Sequence, residues 1–259
     1  MELKESVAVV TGAAGGIGRG IALSLAREGV SVVVADLASA ELHADETKKL
    51  VEGAGVEGMV VTCDVTNEAE VQAMAKTAID RFGHVDILVN NAGVISVAPV
   101  TSMTEQQWDL VIDVNLKGTF LCSKAFASHM VERRSGRIIN ISSLAGRKGA
   151  AGLAHYCATK FGVIGFTQAL AMELAAANVT VNAICPGEVD SAMWREVLLP
   201  ALSAGGGTPD EAWQRFISER VPLGRAQTPE DIGQAAVFLC RADNITGEAL
   251  NVTGGSEIQ

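Results

Sequence analysis

The chain has 259 residues, of which 48% are hydrophobic, and it carries a formal net charge of -10 with a pI of about 4.9. Nucleic-acid phosphates are bound by basic surfaces, so this acidic balance argues against a nucleic-acid partner. A chain of this length can bury a large core as one unit and no stretch resembles a linker, so we expect a single domain over residues 1–259.

The first residues enter an apolar run almost at once, which leaves no room for a secretory signal, and no apolar run is long enough to cross a bilayer. We therefore expect a cytoplasmic protein with no membrane partner. The five cysteines form no Cys-x-x-Cys pair. This pattern favours reduced thiols over disulfide bonds or a zinc site, so no metal is expected.

The predicted elements alternate along the chain. Longer segments of helical periodicity separate seven short runs rich in valine, isoleucine and leucine. These runs predict β-strands at residues 7–10, 31–35, 59–62, 86–89, 137–141, 179–184 and 248–252. Runs that are apolar at every position are typical of a parallel sheet covered on both faces. Strand then helix, repeated, predicts a doubly wound α/β fold.

Two of the helical segments have distinct ends or faces. The segment 68–82 follows Thr66 and Asn67, either of which is a plausible N-cap, and it stops at Gly83. The segment 106–132 predicts one long helix with an apolar stripe, as expected for a helix that packs on the sheet or on a second subunit.

A glycine-rich turn follows the first predicted strand. Residues 11–18 read Thr-Gly-Ala-Ala-Gly-Gly-Ile-Gly and lead into a helical pattern. Glycines at such a turn let a pyrophosphate approach the backbone at the positive end of a helix. The turn therefore predicts dinucleotide binding by Gly12, Gly15, Gly16, Ile17 and Gly18. Its spacing, Gly-x-x-x-Gly-x-Gly, differs from the standard fingerprint, so a flexible loop is the alternative interpretation.

Asp36 ends the second predicted strand, where a carboxylate can accept hydrogen bonds from the adenosine ribose hydroxyls. Leu37 follows it in the same predicted site. A 2'-phosphate placed there would be repelled, and no arginine or lysine lies inside the glycine turn or directly after Asp36. The sequence therefore predicts NAD rather than NADP as cofactor. The alternative is that Asp36 is an ordinary helix cap.

Tyr156 and Lys160 are four residues apart in a segment of helical pattern. At that spacing the two side chains share a helical face, so the ammonium can approach the phenol oxygen and lower the tyrosine pKa from its usual value of about 10. The pair therefore predicts a general acid and base. The alternative is two unrelated surface residues.

These motifs together carry a resemblance to a known family. The motifs are the glycine turn at 11–18, the Asn-Asn-Ala-Gly run at 90–93, Ser143, the Tyr156 and Lys160 pair, and the Pro-Gly at 186–187. In this order and spacing the chain resembles the classical short-chain dehydrogenase/reductase family from about residue 7 to residue 255. The resemblance implies a single-domain Rossmann-type sheet of about seven strands with helices on both faces. It also implies a homotetramer and an NAD-dependent oxidoreductase that interconverts a secondary alcohol and a ketone by hydride transfer.

The same resemblance implies the catalytic residues. Tyr156 would be the general acid and base, and Ser143, rather than its neighbour Ser142, would hydrogen-bond the substrate oxygen. Lys160 would lower the tyrosine pKa and bind the nicotinamide ribose, so that it and Tyr156 both contact the cofactor. Asn115 would bend the long helix and hold a water that links Lys160 to solvent, or it would merely kink that helix.

The remaining cofactor contacts implied by the resemblance lie after the third, fourth and sixth strands. They are Asp64 and Val65 at the adenine, Asn91, Ala92 and Gly93 at the adenosine ribose, and Pro186, Gly187, Val189 and Ser191 at the nicotinamide. Structural stabilisation of the sheet is the alternative role for Asn91.

Substrate contacts are expected from positions around this frame. These positions are Ile95, Ser143, Ala145, Gly149, Ala150, His155, Glu188, Met193 and Trp194. For His155 the alternative is a rim residue without a role, and for Glu188 it is a solvent-facing carboxylate. The segment at about 190–222, with its tryptophans and glycine run, is expected to form a lid, and a subunit contact explains it equally well.

The runs at 185–194 and 220–225 look most like family members that act on polyols or on acetoin and diacetyl, so a small polyol, diol or hydroxyketone is the expected substrate. The alternative is a reductase of carrier-bound 3-oxoacyl groups. A catalytically silent dinucleotide-binding regulator is a more distant alternative, since the serine, tyrosine and lysine are all present.

Overall fold

Seven parallel strands form one sheet in the computed structural model, which describes residues 1–199 and 208–258. The strands are β1 (Val7–Thr11), β2 (Ser31–Asp36), β3 (Gly58–Thr62), β4 (Ile87–Asn90), β5 (Gly136–Ile141), β6 (Val179–Pro186) and β7 (Ala249–Val252). Across the sheet they follow the order β3-β2-β1-β4-β5-β6-β7. Each predicted run overlaps one of these strands, so the predicted doubly wound sheet is confirmed.

Helices cover both faces of the sheet. Within the described ranges they are α1 (Gly16–Arg27), α2 (Glu41–Gly53), α3 (Glu68–Phe82), α4 (Glu105–Ile112), α5 (Gly118–Arg133), α6 (Ala154–Leu174), α7 (Pro209–Arg220) and α8 (Pro229–Arg241). Helices α1, α2 and α8 pack into one hydrophobic cluster, and α3, α5 and α6 pack into the other.

Strand β1 shows why the predicted runs are apolar at every position. Ala8 and Val10 belong to the cluster on one face of the sheet, and Val7 and Val9 belong to the cluster on the opposite face. Successive side chains of a strand point to opposite faces, so a strand covered on both sides needs apolar residues throughout.

The ends of α3 confirm the capping signals read from the sequence. Asn67, rather than Thr66, is the N-cap, and its side chain accepts hydrogen bonds from the backbone N–H groups of Ala69 and Glu70. Gly83 ends the helix with a left-handed φ of 78°, a conformation that glycine adopts without a steric penalty.

The predicted long helix at 106–132 is not one regular α-helix. Helix α4 ends at Ile112, a π-helical turn spans Asp113–Lys117, and α5 begins at Gly118. The cause is local, because the Asn115 side chain pairs with the backbone N–H and oxygen of Val94 at 2.8 and 2.9 Å. A π-helical turn inserted in a helix often marks a functional site.

The strand order reverses between β1 and β4, which is where ligands bind in open parallel sheets. A cavity of about 910 Å3, called the crevice below, opens at the carboxyl edge of the strands there. Residues at or just beyond the ends of six strands line it, including Gly12, Asp36, Asp64, Asn91, Ser143 and Pro186.

Within the described ranges, no helix is long and apolar enough to span a bilayer, and no group of histidine, cysteine and acidic side chains is arranged to hold a metal ion. All five cysteines are buried free thiols.

Candidate active site

The glycine turn is shaped by close contacts with its neighbours. Gly12 and Gly16 have φ values of 64° and 51°, in the left-handed region that favours glycine. A Cβ on Gly18 would lie 2.2 Å from the Gly12 carbonyl oxygen and 2.5 Å from Nδ2 of Asn91, whereas a Cβ on Gly15 would have no atom within 4 Å. Gly15 therefore leaves open space beside the start of α1.

Of the predicted phosphate-binding residues, Gly12, Gly15, Gly16 and Ile17 line the crevice, and Gly18 does not. Gly18 instead permits the close packing of α1 against the turn. The open space and the unpaired backbone N–H groups of the first helical turn together form a site suited to a diphosphate.

Asp36 and Leu37 line the crevice beside this turn. The Asp36 carboxylate accepts hydrogen bonds from the backbone N–H groups of Ala14, at 2.8 Å, and of Leu37, at 2.9 Å. The short 3-10 helix that follows, Ala38–Ala40, has no side-chain cap, so the helix-cap alternative for Asp36 does not describe the structure.

Asp64 and Val65 line the same part of the crevice. The Asp64 carboxylate accepts hydrogen bonds from the backbone N–H and the hydroxyl of Thr66, at 2.9 and 2.8 Å. These bonds fix the orientation of a carboxylate oxygen at the predicted adenine position.

The two asparagines after β4 have different surroundings. Asn90 is buried and donates to Ser123 and Asn140, so it ties the sheet to α5. Asn91 lines the crevice with Ala92 and Gly93, and its Nδ2 also donates to the backbone oxygens of the glycine turn, each at 2.9 Å. The sequence left two alternative roles for Asn91, a cofactor contact and structural stabilisation. Its position in the crevice and its hydrogen bonds to the turn are compatible with both.

Tyr156 and Lys160 lie on α6, are both buried, and both line the crevice, so the alternative of two surface residues is wrong. Lys160 Nζ lies over the tyrosine ring, 5.5 Å from its centre, and donates to the backbone oxygen of Ile141 at 2.9 Å. Ser143 lines the crevice with this pair, and its hydroxyl oxygen accepts a hydrogen bond from the backbone N–H of Ala145 at 3.1 Å. Ser142 instead donates to the backbone oxygen of Lys160 at 2.8 Å.

The electrostatics of this pair differ from the expectation. Burial raises the pKa of Tyr156 to about 12, against a smaller lowering effect of the Ser143 hydrogen bond. Burial also lowers the pKa of Lys160 to about 8. The prediction that Lys160 lowers the tyrosine pKa is therefore not met, because spacing alone does not show how strongly the site desolvates both groups.

Asn115 lies just behind Tyr156 and Lys160 without lining the crevice. A Cβ on Gly93 would lie 3.3 Å from Oδ1 of Asn115 and 3.7 Å from Nζ of Lys160, so Gly93 separates the two side chains. Asn115 lies within the π-helical turn that interrupts the predicted long helix, and both the bend and the water-holding role of Asn115 stay predictions.

Most of the expected nicotinamide and substrate positions do line the crevice. They are Pro186, Gly187, Val189 and Ser191, together with Ile95, Ala145, Gly149, Ala150, Glu188, Met193 and Trp194. The carboxylate of Glu188 is buried and accepts a hydrogen bond from the Ser256 hydroxyl at 2.9 Å, so its solvent-facing alternative is wrong.

His155 is the exception among the predicted substrate contacts. It is fully buried, does not line the crevice, and its Nε2 lies 2.7 Å from the Ser96 hydroxyl oxygen. Burial lowers its pKa. The predicted substrate contact of His155 and its alternative as a rim residue are therefore both wrong. The side chain of His155 points from α6 towards the loop at 94–99, away from the crevice.

The predicted lid segment brings three aromatic rings together. The ring of Trp194 lies 5.1 Å from that of Trp213 and 5.2 Å from that of Phe216. Trp194 lies in a π-helical segment, Met193–Leu198, and the other two lie on α7. Residues 200–207 of the predicted lid lie outside the described residues.

Several crevice residues were not predicted. They include Val97, Leu110, Val114, Leu144, Ala151 and Leu153, while Leu198, Phe216 and Arg220 line the crevice from the segment predicted as a lid or a subunit contact. The four-residue spacing of Phe216 and Arg220 on a helical pattern is the one sequence signal that links two of them.

Comparison with known proteins agrees with this geometry. The profile of the short chain dehydrogenase family matches residues 6–200. The chain therefore belongs to the short-chain dehydrogenase/reductase family, whose members are oxidoreductases of alcohols and ketones that bind a nicotinamide dinucleotide.

Two curated relatives align over almost the full length. The BbsD subunit of a hydroxy(phenyl)methylsuccinyl-CoA dehydrogenase from Thauera aromatica is 41% identical over 100% of this chain and 99% of its own. Galactitol 2-dehydrogenase from Agrobacterium fabrum is 40% identical over 99% of each chain.

Two solved structures share the fold closely. NAD+-bound xylitol dehydrogenase has a TM-score of 0.91 and 32% identity, over 98% of this chain and 100% of that one. A single-substitution variant of actinorhodin polyketide ketoreductase, solved with NADPH, has a TM-score of 0.92 and 39% identity, over 97% of each chain.

Proposed function

We propose that this protein is an NAD(H)-dependent oxidoreductase that interconverts a secondary alcohol and a ketone, with Tyr156 as the general acid and base. The observation that carries the proposal is the crevice itself. It joins a glycine turn suited to a diphosphate with Ser143, the buried Tyr156 and the buried Lys160. Together these supply one site for a dinucleotide and one for a reacting oxygen.

The residues along the crevice fit a nicotinamide dinucleotide. The diphosphate would lie at Gly15 and Gly16, the adenosine between Asp36 and Asp64, and the nicotinamide end beside Pro186 and the residues that follow. A nicotinamide held there would supply hydride transfer to or from the carbon that carries the reacting oxygen.

Asp36 supports NAD over NADP. Its carboxylate would repel a 2'-phosphate, and the nearby Arg19 is already engaged. The Arg19 guanidinium donates to Thr47 at 2.8 Å, to the Ala14 backbone oxygen at 2.6 Å, and to Glu46 at 3.3 Å. One of the solved relatives holds NAD+ and the other NADPH, so the fold by itself does not select the cofactor, and the proposed preference for NAD rests on Asp36.

The protein groups divide the proton chemistry between them. With its raised pKa, Tyr156 is a neutral phenol at neutral pH and can donate its proton to the oxygen of a ketone that becomes an alkoxide. Ser143 hydrogen-bonds the same oxygen and stabilises its developing charge. The Lys160 ammonium, next to the ring, stabilises the phenolate that remains. Alcohol oxidation uses the same groups in reverse.

Two substrate classes have support. A small polyol, diol or hydroxyketone was expected from the sequence, and galactitol 2-dehydrogenase and xylitol dehydrogenase are relatives named for polyols. The lining of the substrate end, however, is mostly apolar, with Ile95, Val97, Leu153, Met193 and Trp194. This favours a substrate with an apolar body, and the BbsD relative is named for a phenyl-bearing CoA thioester.

A reductase of carrier-bound 3-oxoacyl groups, the alternative from the sequence, would also act on a substrate of this second class. It would normally use NADPH, which Asp36 disfavours. The alternative of a silent regulator loses support, since Ser143, Tyr156 and Lys160 converge on the crevice. Initial rates with NADH and with NADPH, on a panel of sugar alcohols, diketones and aryl ketones, test the proposal. Turnover of no ketone or alcohol with either dinucleotide would contradict it.

We also propose a cytoplasmic homotetramer. Helices α4 and α5 expose Trp108, Leu110 and Phe120, which are 41%, 56% and 45% accessible, on the predicted apolar stripe. Apolar side chains exposed together support burial against a second copy. Light scattering measures the mass directly, and a monomer at working concentration would contradict this proposal.

A further inference from the structure

The substrate end of the crevice is apolar with few charges. Its wall carries Val97, Leu153, Leu198 and the rings of Trp194 and Phe216. Of the charged residues that line the crevice, Asp36 and Asp64 lie at the expected adenosine end and Lys160 belongs to the catalytic pair. The others are Lys148, Glu188 and Arg220.

Two of these three charges already have partners. Lys148 Nζ lies 2.9 Å from a Glu257 carboxylate oxygen and donates to the backbone oxygen of Ser256 at 3.2 Å. The Glu188 carboxylate accepts from the Ser256 hydroxyl. The C-terminal segment therefore occupies both side chains.

Among the described residues, Arg220 has no such partner. It ends α7 with an exposed guanidinium whose central carbon lies 4.6 Å from the centre of the Phe216 ring. Within the described ranges no acidic side chain forms an ion pair with it, and residues 200–207 contain no aspartate or glutamate. A guanidinium placed over an aromatic ring keeps its N–H groups available for other partners.

Arg220 lies at the end of the apolar wall formed by the aromatic rings. Phe216 contacts Trp194, and all three residues line the crevice, so an apolar wall leads to a cationic end. A guanidinium held in this way recognises a carboxylate or a phosphate through paired hydrogen bonds.

We propose that Arg220 determines substrate specificity by binding an anionic group, a carboxylate or a phosphate, at the far end of an apolar-bodied substrate. The reacting carbon lies at Tyr156 and the body lies against Trp194 and Phe216. The buried Glu188 repels the anionic group, so the charges favour one orientation. This assignment rests on the proposed alcohol and ketone chemistry and names its substrate class.

The test uses matched probes and the full-length protein saturated with NADH. The carboxylate source is 4-oxo-4-phenylbutanoate, compared with its neutral amide. The phosphate source is acetoacetyl-CoA, compared with acetoacetyl-pantetheine, which lacks the phosphates. Binding is followed by quenching of tryptophan fluorescence, because Trp194 lies on the crevice wall. Turnover is followed separately by nicotinamide absorbance.

The variants are Arg220→Gln, Arg220→Lys and the control Arg215→Gln, which removes the same charge from α7 at a residue that does not line the crevice. We expect Arg220→Gln to weaken binding of the preferred anionic probe at least about tenfold, as for one lost charge-assisted pair, and to change the neutral probe less than about twofold. Arg220→Lys should retain part of the affinity for the anionic probe that Arg220→Gln loses, and Arg215→Gln should bind that probe as tightly as the wild type.

If the wild type prefers the carboxylate over its amide, the anionic group is a carboxylate; if it prefers the CoA thioester over the pantetheine thioester, the group is a phosphate. If wild-type protein binds neither anionic probe more tightly than its neutral match, or if Arg215→Gln has the same effect as Arg220→Gln, the assignment is overturned. If binding discriminates and no ketone is reduced with either dinucleotide, the proposed function fails while the role of Arg220 stands.

Discussion

Lys160 Nζ lies over the Tyr156 ring, 5.5 Å from its centre, and is held there by a hydrogen bond to the backbone oxygen of Ile141 at 2.9 Å. Burial disfavours the charged form of both side chains, so the pKa of Tyr156 is about 12 and that of Lys160 about 8. At neutral pH the pair is therefore a phenol beside an ammonium, the state needed to donate a proton to a ketone oxygen.

The first prediction concerns the phenol. Tyr156→Phe should lower kcat at least about a hundredfold, because the proton donor is removed. NADH affinity, measured by titration of nicotinamide fluorescence, should change little, since the dinucleotide contacts of the glycine turn and Asp36 are untouched. Cys157→Ala, at the adjacent buried residue outside the crevice lining, is the control and should keep its activity. Equal losses of turnover and NADH binding would show that the substitution had damaged the fold.

The second prediction concerns pH. Lys160 loses its proton as the pH rises through about 8, and the phenolate formed during reduction then loses its neighbouring positive charge. The kcat/KM for ketone reduction should therefore fall above about pH 8, by up to about tenfold per pH unit. Lys160→Arg keeps a permanent charge and should shift this fall to higher pH. An unchanged profile in Lys160→Arg would assign the fall to another group.

Motifs at strand ends could be located from the sequence because the carboxyl ends of parallel strands meet at one edge of the sheet. The glycine turn, Asp36, Asn91 and Ser143 follow four different strands and still line one crevice. The order of the apolar runs thus contains most of the information about where the site lies.

Other features depend on packing that the sequence pattern does not show. His155 and Tyr156 are adjacent, yet one is sealed against Ser96 and the other opens to the crevice. Arg220 comes from a helix distant in sequence and reaches the crevice through the packing of α7 on Trp194. The raised pKa of Tyr156 likewise depends on desolvation, which follows from the surrounding fold rather than from the spacing of two residues.

The third prediction concerns cofactor choice. Asp36→Asn should raise the ratio of NADPH affinity to NADH affinity at least about tenfold, because a like-charge contact near a protein surface is worth about 1–4 kcal/mol. Fluorescence titration with each dinucleotide measures the ratio. Asp45→Asn on α2 removes the same charge away from the crevice lining and should leave the ratio as in wild type. If both variants shift the ratio equally, overall charge rather than the Asp36 contact decides the preference.

The fourth prediction separates packing from ligand space within the glycine turn. Gly18→Ala would place a methyl group 2.2 Å from the Gly12 carbonyl oxygen and 2.5 Å from Asn91 Nδ2. The first atom is backbone, and the second is held by its hydrogen bond to that same oxygen, so the turn must shift. We expect a loss of about 3 kcal/mol in the free energy of unfolding, at the upper end for overpacked sites. Thermal and denaturant unfolding measure it directly.

Gly15→Ala is the matched variant for that experiment. Its backbone is extended, with φ of -163°, and a Cβ there meets no protein atom within 4 Å, so stability should stay close to that of wild type. The same methyl group would project into the space assigned to the diphosphate, so NADH affinity should fall at least about tenfold. Unchanged NADH affinity in Gly15→Ala would show that the dinucleotide does not approach this turn, whatever happens to the stability of Gly18→Ala.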